Sequence, residues 1–428
     1  MLEPGVAADG GRPLRIALLS YRSKPHCGGQ GVYVRHLSRE LALLGHQVEV
    51  LSGPPYPLLD EGVTLTHLPS LDLYRDPDPF RVPWPSEFRS WIDLLEFGIM
   101  STAGFPEPLT FSLRAYRELN QRAVLPDVIH DNQTLGYGML LMQRAGMPII
   151  ANVHHPITVD KQLDLAATKQ WRKKPSKYRW YGFLRMQKRV IQRMPTLVTV
   201  SENSFVDIVR DFEVDPAKMR VIPVGVEHEV FVPPTLPRVP GRIVATASAD
   251  HPLKGIVPLL EAAAKLRTER DIEVVIVGKA QEGGAAAKTI ERLGLEDTVR
   301  FVTGLPEKEL VEVFGSANVG VVPSLYEGFS LPAIELMSCA TPLVATTAGA
   351  LPEVVGDAAL SVPPGDTEAL AQALKKVIDD PVYAAELGQR GRDRVMANYT
   401  WPSVARQTAQ WYRDFLGETV PHPFRAED

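Results

Sequence analysis

SLYEGFSLPAIELMSCATPLVATTAGALPEVV, residues 324–355, holds three glutamates, of which Glu327 and Glu335 stand eight positions apart. Glu327 leads into Gly328-Phe329-Ser330, a short loop. Pro332 follows where a first helical turn tolerates a missing N–H, which puts Glu335 in or near that turn. One carboxylate is then on a loop and the other at a helix start, with free backbone N–H groups between them. Helix N-termini attract anions and bind phosphates readily, and carboxylates accept hydrogen bonds from sugar hydroxyls. Together these pieces fit a ligand carrying both phosphate and sugar, a nucleotide sugar. The plainer alternative is an ordinary loop and helix with a solvated Glu on each side.

Outward from this segment, strand-loop-helix openings recur. Leu14 to Ser20 (LRIALLS) precedes the loop YRSKPHCGGQG and a helix with apolar positions Val32, Leu37, Leu41 and Leu44. Arg242 to Ala247 (RIVATA) precedes SADHPLKG, a helix through Leu259, Leu260 and Leu266, and the strand IEVVIVG, residues 272–278. Alternating strands and helices argue a parallel sheet covered on both faces, and two such openings argue two Rossmann-like domains. The Pro-rich run ending at Gly241 reads as the seam. The expected division is an N-terminal acceptor-side domain over 1–232, a linker over 233–241, a donor domain over 242–400, and a closing helix and tail over 401–428.

Composition narrows the class. The 428 residues favour at least two domains, and 45% apolar with 23% charged residues is an ordinary globular balance. A net charge of −5 implies no bulk nucleic-acid binding. Cys27 and Cys339 are far apart and form neither a metal-type spacing nor a disulfide framework, which fits a reducing cytoplasm. The first thirteen residues lack a signal-peptide core, and no apolar run reaches a membrane span. The expectation is a cytoplasmic protein, soluble or at most peripheral at the inner membrane surface.

The 324–355 run resembles the donor-site signature of retaining glycosyltransferases of family 4: Glu, seven residues, Glu, with Gly-Phe-Gly-Leu-Pro or a near variant after the first. Here the variant is Gly328-Phe329-Ser330-Leu331-Pro332. The resemblance covers about residues 14–416. It implies the α/β GT-B fold, two Rossmann-like domains facing each other across a cleft, with the last helix crossing back to the N-terminal domain. It also implies transfer of a sugar from a nucleotide-sugar donor, most often a UDP-sugar in this family. Rival readings are a nucleotide-sugar epimerase and a catalytically weak binding protein of the same fold.

The resemblance assigns roles residue by residue. Glu327 would hold the transferred sugar and Glu335 the ribose hydroxyls. Backbone N–H groups of Phe329, Ser330 and Leu331, beside Gly328, would meet sugar and phosphate oxygens. Gly28 and Gly29 would lie near the donor phosphates; glycines after a first strand let backbone approach a phosphate closely. His154, ending the apolar strand before His155, would contact the donor sugar at the reaction centre. Lys254 would be the diphosphate counter-charge. The family's usual Arg partner six residues earlier is replaced by Ser248, a departure that Arg22 or Lys24 would have to offset. Gly278 with Lys279, and Gly304 with Leu305, would flank the base. No Asp-x-Asp pattern marks a metal site, so no metal or other cofactor is expected; cations and helix dipoles would stabilise the departing diphosphate.

The acceptor side says less. Residues 169–193 hold ten Lys or Arg and no acid, interleaved with Trp171, Tyr178, Trp180, Tyr181 and Phe183. This suits an anionic membrane surface or a phosphorylated acceptor, or equally a solvated cationic helix with its aromatics in the core. Residues 70–110, rich in Pro and aromatics, are long for a structureless loop and would shape an acceptor pocket.

Overall fold

Among the described residues thirteen short strands, the central ones of each sheet apolar and buried, are joined mostly through helices, a pattern that favours parallel pairing. The computed structural model describes residues 7–23, 29–75, 77–154, 156–167, 172, 174–246, 252–279 and 281–417. Lys24, Gly28, His155, Trp171 and Ser248 lie outside the described residues. The chain divides into two compact units, one drawn from Met1–Val200, Ser204–Ile222 and Val404–Asp428, the other from Ser201–Asn203 and Pro223–Ser403.

The first unit carries β1 (Arg15–Ser20), β2 (Gln47–Ser52), β3 (Val63–His67), β4 (Val128–Asn132), β5 (Ile149–Asn152), β6 (Leu197–Thr199) and β7 (Met219–Val221). They form one sheet in the order β3-β2-β1-β4-β5-β6-β7. Its register sets Leu18 opposite Val50 and His130. The second unit carries β8 (Val239–Thr246), β9 (Glu273–Val277), β10 (Val299–Val302), β11 (Ala317–Val322), β12 (Leu343–Thr346) and β13 (Leu360–Val362), in the order β10-β9-β8-β11-β12-β13. Every pairing between named strands is parallel. Each sheet reverses its strand order once, between β1 and β4 and between β8 and β11. Ligands of doubly wound sheets bind beyond the carboxyl ends of strands at such a point.

Each sheet has its own core. Leu19, Ile129, Met139 and Ile149 belong to the first, and Val244's neighbours Ile243 and Ala245 join Leu259, Val274 and Val321 in the second. The helix Trp401–Leu416 completes the first unit. Trp411 Nε1 donates to Thr196 Oγ1 (3.0 Å), Tyr412 meets His130 Nδ1 (2.7 Å), and buried Arg413 pairs with Asp9 (2.7 Å).

The structure adds detail to three sequence expectations. β8 begins at Val239 rather than Arg242. Pro240-Gly241 has linker composition, yet Gly241 takes φ +71 at a register shift against β11, which admits the strand early. Glu335 is the fifth residue of the helix Leu331–Ser338, past its first turn. Residues 70–110, long for a structureless loop, include the helix Trp91–Ser101 and a small core of Leu71, Leu73 and Tyr74.

Candidate functional site

The sequence-predicted residues fall in both units, and each set is built separately. In the second unit, β11 ends at Val322 and the chain turns through Pro323–Ser330 into the helix Leu331–Ser338. Glu327 on this turn is only 8% exposed. Its Oε1 accepts from Lys254 Nζ and from Ser324 Oγ, both at 2.7 Å. Lys254 ends a short 3-10 turn after β8, so the carboxylate and the ammonium flank the β8/β11 reversal. A charge this far from water needs a partner, and here the partner arrives from 73 positions earlier in the chain.

Backbone contacts explain why the pair meets. Leu325 N–H donates to Leu253 O (2.7 Å), zipping the two loops together. Gly255 sits at φ +64, and a Cβ there would lie 1.9 Å from Pro323 O. A third loop closes from β12: Ala350 N–H donates to Glu327 O (2.9 Å), and a Cβ on Gly349 would lie 2.2 Å from that oxygen. Glycine is required at both positions because backbone approaches backbone.

Ser330 starts the helix Leu331–Ser338 in a left-handed conformation, φ +101 and ψ +83, that L side chains rarely adopt. Its hydroxyl is buried and has no hydrogen-bond partner among the described residues. The backbone strain and the unpaired hydroxyl coincide at the helix start, where the surrounding turn must hold them in place. Phe329 packs edge-on against Tyr399 (5.8 Å) and fixes the turn. Along the same helix, the carboxyl of Glu335 is pushed up to about 7, by burial first and the charge of Glu307 second. Gly278 and Lys279 follow β9, and Gly278 N–H donates to Val302 O (2.7 Å). Gly304, at φ +68, and Leu305 follow β10.

In the first unit, Gly29 opens the helix Gly29–Leu43 after β1. His154 lies just beyond β5. Its Nε2 donates to Asn132 Oδ1 (2.6 Å), its backbone N–H donates to Gln133 Oε1 (2.8 Å), and Tyr33 packs edge-on against its ring. Asn132 and Gln133 belong to the polar run HDNQTLG at the end of β4, which the sequence reading missed. The visible signal was a strand ending in polar residues ahead of a Gly. Gln133 and Leu135 both take left-handed φ (+59 and +53). Asp131 braces them, its Oδ2 accepting from Thr134 N–H (2.8 Å) and Leu135 N–H (3.0 Å). Burial pushes the Asp131 carboxyl up to about 7. Arg22 is held by Glu107 (3.3 Å) and by Tyr74 O (3.0 Å).

The basic stretch is helical where described. Trp180 packs on Tyr74 and Phe105, while Lys177 pairs with Asp164 and Lys188 with Glu213. Among the described residues no helix is long and apolar enough to cross a membrane, and no group of three or more His, Cys, Asp or Glu gathers as a metal site.

Comparison with known proteins bears on the family and the fold. Residues 27–230 match the family described as Glycosyltransferase Family 4, and residues 234–394 match Glycosyl transferases group 1. The chain is 54% identical over 411 residues to the MMP alpha-(1->4)-mannosyltransferase of Mycolicibacterium hassiacum, covering 95% of this chain and 100% of that one. Its fold is that of the sucrose-phosphate synthase of Thermosynechococcus elongatus (TM-score 0.70, 24% identity, 94% and 99% of the two chains). Anabaena HepE, solved in complex with UDP-glucose, is a further match (TM-score 0.66, 16% identity, 94% and 100%). The chain therefore belongs to glycosyltransferase family 4, with the GT-B fold.

Proposed function

We propose that this protein is a retaining α-(1→4)-mannosyltransferase that moves mannose from a nucleoside diphosphate to a hydroxyl of an oligosaccharide acceptor. The observation that carries the reading is the 54% identity, over 95% of this chain, to a mannosyltransferase of that linkage. The buried Glu327–Lys254 pair beside a helix N-terminus supports it. In the reaction the bond from the sugar's anomeric carbon to the diphosphate breaks. The acceptor oxygen bonds to that carbon from the same face, and its proton passes to the departing diphosphate. Lys254 carries the positive charge the leaving group needs, and the N–H groups of the 329–331 turn add to it. Glu327 accepts from the sugar hydroxyls, Glu335 from the ribose, and His154, its ring oriented by Asn132, contacts the sugar.

The stretch 169–193 is read as a solvated helical face rather than a membrane contact, because its described aromatic Trp180 turns inward and two of its lysines are paired. The experiment is a panel of UDP-, GDP- and ADP-mannose with an α-(1→4)-linked mannobiose acceptor, products read by NMR. One base should dominate and the new linkage should be α. A Glu327→Gln variant should lose at least about a hundredfold in kcat. A β product, or no transfer from any mannose donor, refutes the reading.

A further inference from the structure

The cationic face of residues 169–193 carries one feature that solvation does not explain. Many arginines of this chain are matched: Arg15, Arg35, Arg81, Arg122 and Arg413 each sit against a carboxylate. Arg144, Arg189 and Arg193 have no acidic partner among the described residues. All three line one hollow of about 310 Å³ in the first unit, between the helix Tyr137–Arg144 and the helix Phe183–Ile191. Tyr137, Leu140 and Leu141 complete its lining, which contains no acid. The chain has 51 acidic residues against 46 Lys and Arg, so that absence is local and not compositional.

The local fold explains how the charges gather. Leu184, Met186, Val190 and Ile191 are buried, which turns Arg185 and Arg189 outward one helical turn apart. Arg193 follows one turn later, just past the helix end. Like charges at this spacing repel. Arg189 donates to Tyr137 Oη (3.0 Å), and Arg193 donates to Arg189 O (2.8 Å). Gln143 Nε2 donates to Arg193 O (3.0 Å) and ties the ends of the two helices together. These acceptors are neutral, so they place the guanidinium groups without cancelling their charge. A helix C-terminus favours a nearby cation, which accounts for Arg144 and Arg189 singly. It does not account for three cations from two distant chain segments around one hollow.

Those properties select an occupant. A hollow of this size is at the lower end of small-molecule pockets, about 300–1,000 Å³. Three unpaired guanidinium groups call for more than one negative charge. A phosphate monoester brings about −1.5 to −2 at pH 7 and three acceptor oxygens, and the guanidinium fork matches phosphate geometry. Tyr137, Leu140 and Leu141 are only half-exposed, so no apolar group stands out to enter a lipid surface, while they can cover the carbon portion of a small ligand. We propose that this groove binds a phosphate-bearing small molecule, its phosphate on Arg144, Arg189 and Arg193 and its carbon portion on Leu140 and Leu141. The lining lies wholly in the first unit, whereas Lys254 and Glu327 belong to the second. The site therefore does not depend on the transfer reading.

Calorimetric titration of the full chain with phenyl phosphate at low ionic strength tests it. The wild type should show one saturable site, tighter for phenyl phosphate than for inorganic phosphate by at least about threefold. Arg144→Gln/Arg193→Gln removes two charges from exposed side chains and should keep the wild-type melting temperature. It should weaken phenyl phosphate by at least about tenfold. Arg185→Ala, on the same helix but outside the lining, should bind as the wild type does, and so should Lys254→Ala. Equal affinity in the wild type and the double variant overturns the proposal. An equal loss in Arg185→Ala does so too, since the attraction would then be diffuse. Loss in Lys254→Ala alone would place the ligand in the donor site and overturn it as well. Retention by phosphatidylglycerol vesicles that the double variant loses, without saturable phenyl phosphate binding, would assign the arginines to a lipid surface instead. Equal affinity for the two phosphates would overturn the placement of the carbon portion.

Discussion

Replacing Ser330 by glycine should make the enzyme more stable and a poorer binder of its donor. The residue's φ of +101 is a conformation that costs a non-glycine side chain about 1–3 kcal/mol. Its buried hydroxyl, unpaired among the described residues, costs about 1–3 kcal/mol more. Against these, glycine adds about 0.4–1 kcal/mol of freedom to the unfolded chain. A net gain of about 1–2 kcal/mol remains as the conservative end of that sum. In a unit of this size each kcal/mol moves Tm by about 2–4 °C. Two units need not melt together, so the gain belongs to the calorimetric transition that donor binding also raises. Ser330→Ala is the control: it removes the hydroxyl but keeps a Cβ at positive φ, so it should gain less than glycine. Both variants should weaken donor binding by about five- to tenfold, the worth of one hydrogen bond. If Tm of the glycine variant is unchanged or lower, the turn is not strained. If donor affinity is unchanged, the hydroxyl has no part in the site.

Two further predictions follow from the same unit. The Glu335 carboxyl titrates near 7 in the native state against 4.5 ordinarily. Between those values the folded chain holds a proton that the unfolded chain has released, so this group's stabilising contribution is lost as pH rises through the window, by up to about 3 kcal/mol. Donor affinity should move the other way, improving as pH rises through 7 and the carboxylate becomes an acceptor; Glu335→Gln should reduce the stability slope and abolish the affinity change, and an unaltered pH profile of donor KM would exclude the ribose role. Gly255→Ala would place a methyl 1.9 Å from Pro323 O at a φ of +64; urea unfolding should show a loss of about 2–4 kcal/mol and activity should fall as Lys254 is displaced, whereas wild-type stability would mean the loops do not depend on that approach.

The parts of this molecule legible in its sequence are those written in short segments. The 324–355 run shows its loop, its Pro at the helix start and the carboxylates of Glu327 and Glu335 within a few turns of chain. β1 and β9 announce themselves as apolar runs. What stayed hidden depends on partners distant in sequence. Nothing near Glu327 says that Lys254 neutralises it, and nothing near His154 says that Asn132 and Gln133 hold it; those contacts exist only once parallel strands set their ends side by side. The helix Trp91–Ser101 was not anticipated at all. A periodic reading would turn Asp93 and Glu96 to water, and here Arg114 supplies an internal counter-charge that buries them.

The Arg413–Asp9 pair has a consequence for how the protein is made. Synthesis runs from the N-terminus, and domains commonly fold as they emerge. The first unit's sheet is complete once β7 has left the ribosome, yet Asp9, His130 and Thr196 must wait for the helix Trp401–Leu416 to meet them. All of the second unit except Ser201–Asn203 is translated in that interval. The portion born earliest is therefore finished last, and a chain released prematurely would carry a well-formed second unit beside a first one missing the buried side chains of Trp411, Tyr412 and Arg413. A truncated product would be marked for disposal by its oldest part.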